Sequence, residues 1–289
     1  EEGEGEPPEC SRSDAFPSPR GEQQGVYDAE RGKVVLYGGD NGVPIQCNPN
    51  PNPIGETWIY DTRCREFRKV GGDVTGPGVR SRGLAILDAQ RDRMIHFGGR
   101  SPRADGAGYV LFNDLWTFSM QNEGWGSMRS RGGPPSPRHS MAGDYDEAGD
   151  RVIVHGGNVS TDGAIYQPVG GVFALSLETQ QWSRFDTQGD GPGERLNHAG
   201  AVDPEGQRLY LYGGTTTFFA PARGDLWSLD LATGEWAELG TSGPSPEPRF
   251  WASLAFDNRS GKLFMFGGHD TTEVGNNNDT WAYDPSTDT

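Results

Sequence analysis

Arginine is the residue type whose spacing in this chain most readily suggests chemistry. A guanidinium group is permanently charged and presents its N–H donors in a planar fork that fits a carboxylate or a phosphate. One arginine stands eighteen residues before each of five Gly-Gly pairs: Arg20, Arg80, Arg138, Arg195 and Arg249. Five such groups around one axis would form an anion site. Alternatively, each arginine could pair with carbonyl or acidic groups beside it, as buried charges do, and the sequence leaves both interpretations open.

The histidines give a weaker pattern. His139 and His198 closely follow repeated arginines, whereas His96 and His155 lie in apolar runs beside the glycines. Together with His269 they form no metal-binding constellation. The chain has no nucleophile motif and no phosphate-binding loop. The sequence therefore predicts no catalytic residue, no metal and no cofactor.

The arginines belong to a repeat, because the five Gly-Gly pairs are 60, 58, 57 and 54 residues apart. Within each repeat, a small apolar segment after the arginine ends at an aspartate. A polar turn with a basic residue five positions after the aspartate follows, and then the apolar run before the glycines, which predicts a hairpin. Two further segments with an aromatic residue predict a third and a fourth strand. Four antiparallel strands per repeat are typical of a propeller blade.

This pattern closely resembles the kelch repeat, which has the same arginine, double glycine, aromatic before an aspartate and subsequent tryptophan. The resemblance implies an all-β, kelch-type β-propeller; kelch propellers usually have six or seven blades, whereas the five repeats here predict five four-stranded blades. The fifth blade lacks its own outer strand, because the aromatic due six residues after Asp284 would fall beyond Thr289. Either the native chain continues with further blades, or the ring closes with the N-terminal segment. We expect the second arrangement, with an acidic tail and closing segment over residues 1–16 lying along blade five and a propeller over 17–289. The blades are expected at about 19–71, 79–130, 137–187, 194–240 and 248–289.

Strand alternation places the variable loops that follow the glycines at the same end as the repeated arginines. Loops on a rigid scaffold are where binding is usually found. Five loop aromatics have no place in the strand pattern: Tyr109, Phe112, Tyr166, Phe218 and Phe219. They could bind a protein or sugar partner, or they could pack the loops against each other.

The resemblance also implies classes of function. Some kelch adaptors hold acidic peptides with arginines at matching positions, which favours a non-catalytic module that recognises a protein, peptide or glycan, possibly an acidic one. The alternative is a sugar-active enzyme resembling the sialic acid mutarotases. The net charge of −16 argues against nucleic acid as a partner, and no apolar run approaches the roughly 20 residues of a membrane span.

Three cysteines complete the set of reactive residues. Cys10 precedes the first inner strand and Cys47 lies in a variable loop, so both are expected at the same end of blade one. Cys64 lies in the turn at the opposite end. We therefore predict a Cys10–Cys47 disulfide with Cys64 unpaired. The cysteines, the acidic N-terminal segment and the missing initiator methionine favour a secreted or cell-surface protein.

Overall fold

The chain folds into two compact units of β-structure. The computed structural model describes residues 10, 14–42, 51–71, 76–217, 220–240, 242–270 and 275–289. One unit contains the chain up to His96 together with Trp116–Ser127, and the other contains Phe97–Leu115 and Met128–Thr289. Within the described part of the chain, no helix is long and apolar enough to cross a membrane.

The first unit consists of blade one and most of blade two. The loop of blade two over Phe97–Leu115, and Met128 at the end of its outer strand, belong to the second unit. Blade one has the strand order β1-β2-β3-β4, with β1 (Gln24–Asp28), β2 (Lys33–Tyr37), β3 (Thr57–Asp61) and β4 (Glu66–Val70). Blade two contains β5 (Leu84–Asp88), β6 (Arg93–Phe97), the loop hairpin β7 (Arg100–Pro102) and β8 (Tyr109–Leu111), and then β9 (Leu115–Ser119) and β10 (Trp125–Met128). Its sheet order is β10-β9-β6-β5, and a short 3-10 helix, Ala89–Arg91, forms the turn after β5.

Blades three to five lie in the second unit. Blade three comprises β11 (Arg131–Gly132), β12 (Ala142–Asp146), β13 (Arg151–His155), β14 (Val172–Ser176) and β15 (Gln181–Phe185), with β11 parallel to β15 at the outer edge. Blade four comprises β16 (Ala199–Asp203), β17 (Arg208–Tyr212), β18 (Leu226–Asp230) and β19 (Trp236–Leu239). Blade five comprises β20 (Ser253–Asp257), β21 (Lys262–Phe266) and β22 (Thr280–Tyr283). The predicted all-β, five-bladed kelch-type fold is thereby confirmed, with three strands in blade five of the described chain.

The second strand supplies much of the core in blades two, three and four, where four of its five side chains are buried. In the second unit Ile153, Leu209 and Leu211 are fully buried and pack with Leu229 of the third strand. In the first unit Val35, Met94 and Phe118 form the corresponding cluster. Complete burial of a side chain of this size stabilises the fold by about 1.5–3 kcal/mol.

The double glycine allows two neighbouring blades to approach closely. A Cβ atom on Gly156 would lie 2.6 Å from the carbonyl oxygen of Arg195, and one on Gly213 would lie 2.3 Å from that of Arg249. In the first four blades the second glycine donates its N–H to the carbonyl of the next blade's arginine, as Gly214 does to Arg249 at 3.0 Å. A side chain at the first glycine would therefore separate the two blades.

The N-terminal tail is attached to blade one by a disulfide between Cys10 and Cys64, whose Cα atoms are 5.5 Å apart. The predicted pair of Cys10 with Cys47 is wrong, and Cys47 lies outside the described residues. The prediction assumed that the tail stays at the end of the blade where Arg20 begins the inner strand. Ten residues separate Cys10 from Arg20, and such a segment can span up to about 33 Å. A blade strand spans only about 17–20 Å, so the tail can run to the opposite end.

An aromatic contact places the tail on the same blade. The ring of Phe16 lies 6.0 Å from that of Phe67 on β4. The structure thus attaches the tail to blade one, whereas the sequence predicts blade five. Closure of the ring stays a prediction.

Candidate ligand-binding face

The eighteen-residue spacing between the repeated arginine and the first glycine is explained by one hydrogen bond. In blades one, three, four and five, its Nη1 donates to the carbonyl oxygen of the first glycine of the same blade. The bonds are Arg20–Gly38 at 3.3 Å, Arg138–Gly156 at 2.8 Å, Arg195–Gly213 at 2.9 Å and Arg249–Gly267 at 3.1 Å. The guanidinium thereby joins the start of the inner strand to the end of the second strand.

In blades four and five, a carboxylate at the start of the third strand completes the arginine site. Arg195 binds both oxygens of Asp225 at 3.0 and 2.8 Å, and Arg249 binds Asp279 at 2.6 and 3.2 Å. The third-strand tryptophan donates its indole N–H to the same carboxylate, as Trp227 does to Asp225 at 2.7 Å. Burial raises the pKa of Asp225, but the hydrogen bonds from Arg195 and Trp227 outweigh it and lower that pKa.

Blade one has an equivalent site built on a glutamate. Arg20 and Lys69 hold the two oxygens of Glu56 at 2.6 and 2.7 Å, and Trp58 donates to it at 3.0 Å. Burial opposes ionisation of Glu56, yet these three donors lower its pKa to about 2. In blade two, Arg80 is buried and donates to the carbonyl of Pro77.

These contacts favour the structural interpretation of the arginines. The side chains of Arg195 and Arg249 are 0% and 1% exposed, and each is engaged within its own blade. Ligand binding by the five arginines together stays a prediction. Arg138 differs from Arg195 and Arg249 because residue 171, where the carboxylate would stand, is Gly171.

A second repeated feature, which sequence reasoning missed, lies two residues after each arginine. These residues all have the left-handed backbone conformation, with φ between 56° and 60°: Glu22, Arg82, Ser140, Asn197 and Trp251. A non-glycine residue in this conformation costs of order 1–3 kcal/mol unless its surroundings hold it. The signal in the sequence is the contrast between an unvarying arginine and a position two residues later where every repeat differs.

Backbone hydrogen bonds between neighbouring blades hold these residues in place. In the second unit, Asn197 donates its N–H to the carbonyl of Ser140 at 2.9 Å, and Trp251 donates to Asn197 at 2.9 Å. In the first unit, Arg82 donates to Glu22 at 3.2 Å. The side chains at these positions are therefore carried on a fixed backbone.

Trp251 is the large apolar side chain among them, and 46% of it is exposed. Its ring lies 4.7 Å from that of Phe250 and 6.0 Å from that of His269, which restricts its orientation. Asn197, whose backbone carbonyl accepts the Trp251 N–H, is buried. Neither the nitrogen nor the oxygen of its side-chain amide has a hydrogen-bond partner in the described part of the protein. Such an amide costs about 1–3 kcal/mol until water or a ligand supplies the bonds.

The variable loop of blade three is organised by its own polar side chains. The side-chain oxygen of Asn158, Oδ1, accepts the backbone N–H groups of Ser160 at 3.1 Å and Gln167 at 2.8 Å. Asp162 accepts those of Ala164 at 2.7 Å and Ile165 at 3.2 Å. These bonds present the side chain of Ile165, which is 61% exposed, on a defined turn.

A histidine joins this loop to the start of the inner strand. The ring of His139 contacts the Asn158 amide at 3.2 Å through Nε2 and the Ser140 hydroxyl at 2.9 Å through Nδ1. All three side chains are buried. We name the surface formed by Trp251, Asn197, Ser140 and the 158–170 loop the loop face.

The predicted loop aromatics fall into three groups. Tyr109 lies under the guanidinium of Arg100 at 4.0 Å and donates its N–H to Thr161 at 2.8 Å, so it packs one loop against the next. Phe112 is half-buried, and its carbonyl accepts the N–H of Arg138 at 3.0 Å. For these two residues the contacts favour loop packing. Tyr166 is half-buried in the blade-three loop. Phe218 and Phe219 lie outside the described residues.

Comparison with known proteins supports the same assignment. Residues 144–289 match the family described as the KLHDC2/KLHL20/DRC7 Kelch-repeats domain. This chain belongs to the kelch-repeat family. The match covers half of the chain and includes blades four and five with nearly all of blade three.

Individual kelch relatives are distant. Kelch domain-containing protein 10 of Xenopus tropicalis is 28% identical over 206 residues, which cover 66% of this chain and 46% of the relative. Kelch domain-containing protein 2 of Bos taurus is 28% identical over 251 residues, or 80% of this chain and 58% of the relative. Dynein regulatory complex subunit 7 of Chlamydomonas reinhardtii is 30% identical over 123 residues, covering 43% of this chain and 10% of the relative. The chain thus spans about half the length of the two kelch domain-containing proteins and a tenth of the dynein regulatory complex subunit.

Among solved structures, that of YjhT superposes with a TM-score of 0.61 at 15% sequence identity, covering 87% of this chain and 73% of YjhT. At this identity the likeness shows the fold alone.

Two kelch-blade histidines meet between blades three and four. His155 Nδ1 lies 3.0 Å from His198 Nε2, and both rings are buried. Burial, reinforced by the positive charges of Arg195 and Arg138, lowers the pKa of His155 to about 3, and burial holds that of His198 well below its ordinary value. Because both pKa values are lowered, the two rings are neutral at physiological pH. Among the described residues, no three His, Cys, Asp or Glu side chains form a group that could hold a metal ion.

Proposed function

We propose that this kelch propeller is a non-catalytic recognition module that binds a protein partner through its loop face. The observation that carries the proposal is Trp251, a half-exposed tryptophan on a left-handed backbone position held by the neighbouring blade. Tryptophan is enriched among the residues that dominate binding energy at protein interfaces. All five repeats share this backbone conformation, and in blade five it presents a tryptophan, 46% exposed, at the surface.

The rest of the loop face supports this role because it is already ordered. Ile165 stands on a turn fixed by Asp162 and Asn158, and His139 ties that loop to Ser140. A surface that is rigid before binding loses little conformational entropy on association. The buried, unpartnered amide of Asn197 adds a polar group that could select for a matching donor and acceptor.

Site-specific photo-crosslinking tests the proposal. A benzophenone amino acid is introduced at Trp251 or at Ile165, and the protein is irradiated in an extract of its source. The matched control carries the same group at Glu178, which is exposed in the tight turn at the opposite end of blade three. We expect a discrete adduct from both loop-face positions and none from Glu178. Equal adducts from all three positions, or none from the loop face, would refute the proposal.

The sugar-active alternative makes a different prediction. An enzyme resembling the sialic acid mutarotases would accelerate exchange between the anomers of its sugar, which is visible by NMR as a line-shape or saturation-transfer change. The recognition module leaves that exchange at the uncatalysed rate. Binding of a glycan or an acidic ligand without turnover would keep the recognition function and change the chemistry of its partner.

We further propose that the protein works outside the cytosol, in a secreted or surface-attached form. The Cys10–Cys64 disulfide supports this location because such bonds persist in oxidising compartments. Protein isolated from its source should carry the bridge quantitatively. Recovery of Cys10 and Cys64 as free thiols after rapid alkylation would contradict the location.

A further inference from the structure

Blade three lacks an acidic residue that every other blade carries two positions before its third-strand tryptophan. These residues are Glu56, Asp114, Asp225 and Asp279 in blades one, two, four and five. In blade three the two positions are Gly171 and Phe173, so the carboxylate and the indole N–H that would bind it are missing together. The site has thus lost both an anion and one of that anion's donors.

The arginine of blade three nevertheless keeps the arrangement of a complete site. Arg138 Nε donates to the Ser136 carbonyl at 3.0 Å and Nη2 to the Ser136 hydroxyl at 3.0 Å, while Nη1 reaches the Gly156 carbonyl. Arg20 makes the same contacts with Ser18. In blade one the Nη2 group also binds Glu56, whereas in blade three the residue at the position of Glu56 is Gly171, which has no side chain to accept such a bond.

A second cation borders the same position. Arg184 pairs with Phe173 across β14 and β15, as Lys69 pairs with Trp58 across β3 and β4. Lys69 holds the Glu56 carboxylate of blade one. A Cβ atom on Gly171 would find Nη2 of Arg184 at 3.7 Å as its only neighbour within 4 Å, so there is room for a group at this position beside Arg184.

Within the described part of the chain, neither Arg138 nor Arg184 has an acidic side chain within ion-pair distance. Glu194, whose Cγ lies 3.5 Å from a Cβ position on Gly170, is exposed and makes no ion pair with either arginine. Arg138 instead lies against the ring of Phe173 at 5.3 Å. Its burial without a counter-charge lowers its pKa to about 10.

We propose that blade three binds a carboxylate group of a ligand between Arg138 and Arg184, in the position that Glu56 occupies in blade one. Arg138 and Arg184 correspond to Arg20 and Lys69, which together hold the Glu56 carboxylate of blade one, and guanidinium groups fit the planar, two-oxygen shape of a carboxylate. A ligand carboxylate would supply the counter-charge that the fold supplies elsewhere. Arg184, which is exposed, provides the side from which it enters. The proposal does not depend on the loop face or on its partner.

Titration with small anions tests the site directly. Sodium acetate is added at constant ionic strength to protein labelled with nitrogen-15, and the arginine side-chain N–H signals are followed by NMR. We expect saturable shifts at Arg138 and Arg184 with a dissociation constant in the millimolar range. Arg184→Gln should weaken acetate binding at least about fivefold, because it removes one of two charge-assisted donors. The fold should persist, since Arg184 is at the surface.

Lys69→Gln is the matched control, because Lys69 holds the corresponding place in blade one, where Glu56 already fills the site. This variant should leave the acetate shifts of Arg138 unchanged. Unsaturable shifts up to 0.1 M acetate, as a rough upper limit for a specific site of this kind, would overturn the proposal. So would an equal loss of acetate affinity in Arg184→Gln and Lys69→Gln.

The source of the carboxylate is distinguished with peptides. A blocked tripeptide with a central aspartate is compared with its asparagine counterpart and with acetate. Tighter binding of the aspartyl peptide than of acetate supports a side-chain carboxylate of a protein partner, and equal binding supports a free organic acid. If the asparaginyl peptide binds as well as the aspartyl peptide, the carboxylate is not what is recognised and the proposal is wrong.

Discussion

At the scale of single residues, the arginines of the kelch repeat show how one side chain can be structural in most copies and available in one. Arg195 binds a carbonyl and a carboxylate of its own blade, whereas Arg138 binds the carbonyl without the carboxylate. The difference follows from one glycine at position 171. A repeated residue therefore needs to be considered together with the partner that each copy keeps or lacks.

This difference predicts unequal costs of substitution. Arg195→Ala should lower the free energy of unfolding by about 3–5 kcal/mol, because the half-buried Asp225 carboxylate loses both hydrogen bonds from Arg195 and keeps only the longer ion pair with Arg223, at 3.9 Å, in the described part of the chain. Arg138→Ala strands no charge and should cost only about 1–3 kcal/mol from lost hydrogen bonds and packing. Urea unfolding of the two variants measures both values. Similar losses would show that the carboxylate contributes little.

The buried histidine pair predicts a pH dependence above the range of the carboxylates. The unfolded histidines bind protons below about pH 6.5, while folded His155 and His198 stay neutral because burial lowers their pKa values. The pair therefore contributes its full stability above pH 6.5 and loses it as the pH falls towards 3. Each histidine should cost about 1 kcal/mol between pH 7 and 5.5.

Other blades suggest the control variant for this pair. Phe97 and Met141 occupy the corresponding positions between blades two and three, so His155→Phe with His198→Met reproduces an existing apolar contact. The double variant should show a flatter stability profile between pH 7 and 5.5 in urea unfolding. A wild-type profile that is equally flat would mean that the two rings titrate normally in the folded protein.

At the scale of elements, the double glycine couples each blade to the next, and this predicts a clash that can be separated from backbone strain. Gly213 has φ +68° and its added Cβ would lie 2.3 Å from the Arg249 carbonyl, whereas Gly261 has φ +66° with nothing within 4 Å. Gly261→Ala should therefore cost about 1–2 kcal/mol from the left-handed conformation alone. Gly213→Ala should cost about 1–3 kcal/mol more from overpacking. Equal losses in thermal or urea unfolding would exclude the close approach as the reason for this glycine.

The blade elements were predictable because their causes are local and repeated. The eighteen-residue interval reflects one hydrogen bond, and the small residues after each arginine follow from close contact between inner strands. The aspartate and the basic residue that flank the first turn pair in blades two and three, with Asp88 and Arg93 at 2.8 Å and Asp146 and Arg151 at 2.6 Å. In blade four, Arg208 instead reaches Asp230 of the third strand at 3.5 Å, a choice that the linear sequence does not specify.

The features that escaped prediction depend on contacts between segments far apart in the chain. The left-handed position of Trp251 is set by a hydrogen bond from the neighbouring blade, and the role of Tyr109 is set by another loop. A further case is the outer tryptophan, which packs on the residue before the preceding glycines, as Trp236 does on His155 at 5.8 Å. In blade four the residue before the glycines is Tyr212. Blade five has three strands in the described chain and no outer tryptophan there to pack on Tyr212, and a cavity of about 200 Å³ lies beside that ring.

At the scale of the whole molecule, the net charge of −16 limits what the local cations can attract. The general field repels anions, but salt screens it beyond about 8–10 Å. The attraction between a carboxylate and the Arg138–Arg184 pair acts at contact distance and is screened much less. An anion that binds there would therefore be selected by the shape of this one site.

A disulfide joins the N-terminal tail to blade one, and it gives the last prediction. The Cys10–Cys64 bridge closes a loop with a sequence separation of 54 residues, for which the loss of unfolded-chain entropy stabilises the fold by up to about 4 kcal/mol. Cys10→Ser should lower the unfolding midpoint in urea to that of the reduced wild type. Cys47→Ser, the control, should keep the wild-type midpoint and the bridge. Peptide mapping under non-reducing conditions should recover Cys10 joined to Cys64; recovery of Cys10 joined to Cys47 would return the tail to the opposite end of the blade.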